Sequence, residues 1–436
     1  MHAKEENGST VVGRRVEDGL VTTVTQRLPV PAPGRGAAEA FVGVHLDGLF
    51  HGEVAGSERF RGGQAAADAA MDAYDVRGYA ATRNEVLPEP RRGASALSPY
   101  IRHGLLSLPT VWRHVAGGPA RDVGKFRDEL LWQEFSRHWY ARLGPRTRRG
   151  VRRELANVTD PRATGLDGWN RDMACLASTV GELERDGWLV NQTRMWMSSD
   201  WTVRHGHPWR DGEDLFFTHL LDGSRAANRL GWQWTTGVGS SKHYGFSRWQ
   251  VEKRAPELCR GCALRETCPV QDWPDDPEFV AVERPSAIAV PDQVASARIG
   301  PTDTISTADP DVVWLTAESL GVADPALRAW GDRPVVFTFD RRLLAVLQLS
   351  AKRLVFLVET LAELAQHRDL EVSLGDPIAA LDGRSVAVTH APVPGFVALA
   401  ERANMAVRHP WTWLAWPSSG SVASFSSWRR SAELVV

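Results

Sequence analysis

The chain has 436 residues, 43% hydrophobic and 24% charged, the balance of a folded globular protein rather than a disordered or collagenous one. Lys+Arg number 51 against 53 Asp+Glu, a formal net charge of −2, so a globally basic nucleic-acid binder is excluded and only a local basic patch could serve. No apolar run approaches the roughly 20 residues of a membrane span, and the opening MHAKEENGST lacks the apolar region of a secretory signal, so the expected location is cytoplasmic, without a membrane.

Residues 1–35 read as a polar leader that ends in PVPAPGRG. From 36 to 268 the apolar spacing is helical: KFRDELLWQEFSRHWYARLG puts Leu131, Phe135 and Trp139 on one face, and RDMACLASTVGELERDGWLV repeats this with Met173, Leu176, Val180 and Leu183. Residues 269–310 are rich in Pro and Asp, with little period, and read as a linker. From 311 to 436 the short β-branched runs VVWLTA, PVVFTF, LEVSL and SVAVTH, some of them separated by helical stretches, predict a parallel α/β sheet. The expected architecture is therefore an all-α domain followed by a Rossmann-like α/β domain. The chain holds 18 Trp, ten of them between Trp132 and Trp249, which suits a large core, a stacking surface or a chain of redox-active rings.

Four segments of the helical half have unusual local chemistry. GASALSPYIRHG (93–104) offers Ser95 and Ser98 at a turn before a helix, where hydroxyls cap the helix or hold phosphate. ELLWQEF sets the Glu129 carboxylate and the Trp132 indole three residues apart on one helical face. DGWLVNQTRMW (186–196) gathers Asn191, Arg194 and Met195 within about one turn between two Trp, and such polar groups need partners when buried. HLLDGSRAANRLGWQW (219–234) sets Asp222, Asn228, Trp232 and Trp234 around a Gly-bearing turn. Each segment alone has a plain structural reading as a cap, a core pair or a loop.

The four cysteines are Cys175, in MACLAS, and Cys259, Cys262 and Cys268, in CRGCALRETCP. In a long cytosolic chain they read as metal ligands or core thiols rather than disulfides, and the C-x2-C-x5-C spacing favours a metal, zinc with a fourth ligand being the general case.

Taken together and in order, the four segments resemble the FAD-binding domain of the photolyase/cryptochrome family over roughly residues 60–250. The resemblance implies that Tyr79, Ser95, Leu97 and Ser98 hold the FAD phosphates and adenine side, and that Asn191, Arg194, Asp222 and Asn228 surround the isoalloxazine. Ser224 stands where the family has an Asp near the flavin. Glu129, Trp132, Asn191, Met195 and Trp234 match the pocket for a flipped pyrimidine dimer, with indoles to stack on the bases and a carboxyl to bond their edges. Trp232 and Trp209 match the inner and middle indoles of the chain that reduces the flavin; no distal third Trp can be assigned. Gln133 and Gln192 replace arginines that meet DNA phosphates, and the five arginines of GPRTRRGVRRE (144–154) could compensate.

Cys175 before the flavin motif and the three later cysteines resemble the ligand set of the iron-sulfur photolyases, which implies a 4Fe-4S cluster with zinc as the alternative. Residues 311–430 resemble the family's antenna domain, which normally comes first, so the chain reads as circularly permuted. The implied function is light-driven splitting of cyclobutane dimers in UV-damaged DNA by a monomer. The alternatives are a cryptochrome-like photoreceptor without repair and an iron-sulfur nucleic-acid binder without flavin.

Overall fold

A computed structural model describes residues 25–160, 165–289 and 298–436. Between Arg35 and Arg260 the described regular elements are helices apart from the short strand Arg153–Leu155, and the longest is the helix Ala120–Leu143. The face expected from sequence is the one that packs: Leu131, Phe135 and Trp139 are buried, as are Met173, Leu176, Val180 and Leu183.

The C-terminal part is built on a seven-stranded sheet of order β1-β7-β6-β5-β8-β9-β4. Its five parallel strands are β5 (Val312–Leu315), β6 (Val335–Asp340), β7 (Leu370–Gly375), β8 (Val386–Thr389) and β9 (Met405–His409). Strand β5 explains itself: Val313 and Leu315 point into the main core, while Val312 and Trp314 point into a second core on the other face. Both faces are covered, so the strand is apolar throughout rather than alternating.

Two edges of this sheet lie in segments that read as unstructured. Gln26–Leu28 (β1), inside the expected leader, pairs antiparallel with β7, Gln26 opposite Leu374. Ile305–Ser306 (β4), inside the expected linker, pairs antiparallel with β9. The linker also supplies Phe279–Ala281 (β3), which pairs with Arg153–Leu155 (β2) from the helical half. These strands are two or three residues long, too short to give a period, and their partners lie far away in the chain.

The two parts share one interface. The helix Ala351–Leu364 is buried on nearly every residue, and the helix Arg35–His45 packs along it. From that helix the buried Arg353 donates to the carbonyls of Phe217 (3.2 Å) and Gly223 (2.8 Å). Arg102 also reaches Gly223 O (2.9 Å) and pairs with Glu318 (3.0 Å). His103 bonds Ala317 O and Leu221 O with its two ring nitrogens. All these groups converge on the turn that follows Leu220, where the candidate site begins.

Candidate functional site

The site is assembled by two turns. Gly187, left-handed at φ 64°, ends the helix Ala174–Asp186 and swings the chain into the helix Asn191–Ser198. The second turn, 220–224, leads into the helix Arg225–Thr236. A backbone bond from Leu221 N to Gly187 O (2.8 Å) ties the turns together and sets Asp222 opposite Arg194. The Arg194 Nη2 to Asp222 Oδ2 distance is 2.7 Å, and Arg194 Nε also donates to Leu189 O (3.0 Å).

One half of this arrangement is unsatisfied. Asp222 Oδ1 and Asn228 Nδ2 are buried with no protein partner, as is Trp232 Nε1. Buried polar atoms are normally paired, because leaving one unpaired costs about 1–3 kcal/mol. An acceptor, an amide donor and an indole donor within eleven residues of sequence thus each lack a protein partner. Ser224 is the N-cap residue of the second helix, without a side-chain cap bond, and its carbonyl accepts from Asn228 N (2.8 Å).

The residues expected on the phosphate and adenine side divide. Ser98 begins a short helix, and its Oγ accepts from Trp188 Nε1 (2.9 Å), which ties this segment to the turn before Arg194. Ser95 Oγ accepts from Leu97 N (3.4 Å). Leu97 is fully buried, so its side chain is core; a role toward a ligand would be left to its backbone. Tyr79 is buried edge-on to Phe126 (5.0 Å), and burial, followed by the charge of Glu129, pushes its phenol up. Tyr79 and Glu129 are therefore neighbours, on the helices Tyr79–Thr82 and Ala120–Leu143.

Among the dimer-pocket candidates, Glu129 is paired with Lys125 (3.1 Å) and Arg83 (3.7 Å). Trp132 is stacked on Phe425, with centroids 4.1 Å apart and planes at 11°, so a C-terminal residue covers one face of the indole. Asn191 is exposed and Met195 half-buried one turn further on. Trp234 is 46% exposed and lies 6.5 Å from the Tyr244 ring. Gln192 is buried and donates Nε2 to Tyr244 Oη (2.7 Å), so it is turned inward. The arginines of 144–154 lie partly against the loop after Trp234, where Arg153 donates to Gly237 O (2.8 Å) and Ser241 O (3.2 Å).

Trp232 and Trp209 are both buried. They do not meet ring to ring: the aromatic neighbour of Trp232 is Phe216 (5.2 Å), while Trp209 donates Nε1 to Glu154 (3.3 Å). Sequence reasoning left Trp169, Trp201 and Phe216 without a role, although their rings touch one another or Trp232. It also missed Arg353, whose buried guanidinium holds the Asp222 turn. Nothing local marks these residues, because their meaning depends on partners about 20 to 140 positions away.

The four cysteines line one small pocket, together with Met173, Val251, Leu258 and Leu264. Cys175 comes from the first turn of the helix Ala174–Asp186, Cys259 from the helix Pro256–Arg260, and Cys262 and Cys268 from the turns that follow. Burial pushes the Cys175 thiol up, and the nearby Asp200, Cys259 and Cys268 add to that. Among the described residues, no three His, Cys, Asp or Glu are set at metal-binding spacing. The thiols are gathered but not closed into a ligand cage.

With this geometry in view, comparison with known proteins is specific. Residues 126–256 match the family model for the FAD binding domain of DNA photolyase. That stretch contains Glu129, Asn191, Arg194, Asp222, Asn228 and Trp232. A deoxyribodipyrimidine photo-lyase of Thermus thermophilus is 31% identical over 238 residues, 51% of this chain and 47% of the relative. One of Vibrio cholerae is 30% identical over 161 residues, 34% of each chain. The chain spans about a third to a half of the length of these relatives. Among solved structures, a class III photolyase of Agrobacterium tumefaciens aligns over 45% of this chain and 44% of its own, at 24% identity and a TM-score of 0.39. Among the described residues, no helix is long and apolar enough to cross a membrane.

Proposed function

We propose that the chain is a light-driven DNA repair flavoprotein that splits cyclobutane pyrimidine dimers. The observation that carries this reading is the Arg194–Asp222 pair beside the unpaired Asp222 Oδ1 and Asn228 Nδ2, inside the stretch that matches the FAD binding model. These atoms suit the polar edge of a flavin. Asp222 would accept from a ring N–H, Arg194 would balance its charge, and the neutral Asn228 amide would donate without repelling an anionic reduced ring. Ser95, Ser98, Tyr79 and the backbone at Leu97 would serve the rest of the FAD, with Ser224 near the ring. Bound reduced FAD would supply, on absorbing blue light, the electron that splits the dimer.

The chain's own residues receive the lesion. Trp234 offers an exposed indole for stacking, Met195 an adaptable apolar contact, and Asn191 an amide toward the bases. Glu129 would bond a base edge by leaving Lys125 and Arg83, half-exposed pairings of small energetic weight. Trp132 would contribute its remaining face and edge, since Phe425 covers the other face. Purified protein, reduced chemically and lit with blue light, should restore intact pyrimidines in a dimer-bearing oligonucleotide. Unchanged dimers in the presence of bound FAD would sink the repair reading.

One observation favours a second reading, a blue-light photoreceptor without repair. Gln192, where the resemblance expects an arginine toward DNA, is neutral and bonded inward to Tyr244. That reading expects flavin photochemistry together with negligible affinity for a dimer-bearing duplex.

The cysteine pocket supports a 4Fe-4S cluster on Cys175, Cys259, Cys262 and Cys268, with zinc as the alternative. Four thiols in one pocket suit either a 4Fe-4S cluster or a four-cysteine zinc site. The cluster would pin the Cys259–Cys268 segment to the helix Ala174–Asp186. Iron, sulfide and zinc analysis of protein purified without oxygen decides between them. We also propose that the α/β part is the family's antenna domain, permuted to follow the flavin domain.

A further inference from the structure

Arg353 is a buried cation without a matching anion. It comes from the helix Ala351–Leu364, is 3% exposed, and reaches the turn that holds Asp222. Its guanidinium donates to Phe217 O and Gly223 O and lies 4.9 Å from the centre of the Phe217 ring. Its Nε is buried with no partner. Among the described residues, no carboxylate lies within ion-pair distance of it, although the charges of Glu318 and Asp222 are felt there. Burial, followed by the nearby Arg102, pulls its pKa down to about 9, so the group keeps its charge at neutral pH.

The turn is shaped to receive this group. Gly223 has no side chain, and a Cβ there would lie 2.8 Å from Arg353 Nη1. Arg102 donates to the same Gly223 oxygen, so two guanidiniums converge on one acceptor. Like charges brought together in a buried place repel, and opposite charge is needed to offset them.

The charges around the turn do not balance. Arg194 is matched by Asp222, and Arg102 by Glu318. Arg225 and Arg229, on the helix that follows, are matched by Glu213 and Asp214. Arg353 is left over. A buried charge is costly unless it is paired. The surplus lies at the residue next to Asp222, whose Oδ1 is also without a partner. A ligand that completes both groups offers an N–H to Asp222 and carries negative charge. An anionic reduced flavin ring has both, an oxidised ring has the N–H alone, and a phosphate has the charge alone.

We propose that Arg353 is a positioning residue of the flavin site, supplied by the sheet part of the chain, whose charge makes the site prefer anionic reduced FAD over oxidised FAD. The proposal rests on the FAD reading above. Arg353 acts through its field and through the Gly223 carbonyl, and needs no contact with the ring. The flavin site is then incomplete without the sheet part.

The test is the reduction potential of FAD bound to the full chain, measured without oxygen and with FAD in excess. Binding and reduction are linked, so the shift in potential on binding reports the ratio of affinities for the two forms. In the wild type the bound FAD should be easier to reduce than free FAD. Arg353→Met should lower the preference for the reduced form about tenfold, the order expected for one charge at an effective dielectric of about 20. For a two-electron couple, tenfold is about 30 mV. Arg353→Lys keeps the charge and loses the planar fork, so it should retain most of the preference. A purely structural role, or a role toward the FAD phosphates, would weaken oxidised and reduced FAD alike and leave the potential unchanged. FAD bound to Arg353→Met at the wild-type potential therefore overturns this proposal alone. A reading on unaltered protein guards against a misfolded variant: wild-type bound FAD harder to reduce than free FAD also overturns it. Wild-type protein that holds no FAD overturns the functional reading as well.

Discussion

Asp222 is held from two sides. Arg194 takes one carboxylate oxygen at 2.7 Å, while Arg102 and Arg353 both grip the carbonyl of the next residue, Gly223. The other oxygen is left free of protein partners, so its position is fixed without being used. Asp222→Ala should leave the half-buried Arg194 unpaired, cost about 2 kcal/mol in urea unfolding, and abolish retention of FAD on gel filtration. Gly212→Ala tests the packing against Trp232. Its methyl group has no room beside that indole, and overpacking of this kind costs about 1–3 kcal/mol, readable as a lowered melting temperature. The resemblance in the sequence set Arg194 and Asp222 around one ring, because both residues sit in motifs. The unpaired atoms were not, since satisfaction depends on three-dimensional neighbours.

At the scale of elements, the C-terminal helix Phe425–Ser431 packs against the long helix Ala120–Leu143. Phe425 stacks on Trp132, and Trp428 Nε1 donates to His138 Nδ1 (3.1 Å). Burial pushes the His138 pKa down from 6.5 to about 3, so the folded chain keeps the ring neutral. The unfolded chain takes up a proton there as pH falls below about 6.5. This group's stabilisation is therefore complete above that pH and drains at up to about 1.4 kcal/mol per pH unit below it. His138→Gln should reduce the loss of stability between pH 7 and pH 5 relative to the wild type, measured by urea unfolding at each pH. Strands β5 to β8 were legible as β-branched runs. Strand β9, MAVRH, was missed because Arg408 and His409 interrupt its apolar pattern, yet its Ala406 and Val407 are buried in the sheet.

For the molecule as a whole, the interface between sheet and helices governs the site. Arg353 is buried, and its pKa is pushed down to about 9 by burial and by nearby Arg102. Arg353→Met should leave the Phe217 and Gly223 carbonyls short of a donor and loosen the turn that holds Asp222. We expect weaker FAD retention from this substitution, although Arg353 lies in the other part of the chain and was invisible as a site residue in the sequence. Leu28 tests the N-terminal edge strand. It is buried against the sheet, and Leu28→Ala should cost about 2–3 kcal/mol in denaturant unfolding. No loss would mean that the edge strand adds nothing. The change of period near residue 311 was readable in the sequence, but the stitching between helices and sheet was not.

Strand β1 has a consequence for how the protein is made. Gln26 must find Leu374, which leaves the ribosome almost 350 residues later. At roughly 5–20 residues per second, the nascent N-terminus waits on the order of tens of seconds for its partner. Throughout that interval Leu28 has no sheet to cover it. Synthesis of this polypeptide should therefore depend on chaperones that shield an early, lonely segment until the last third of the message has been translated.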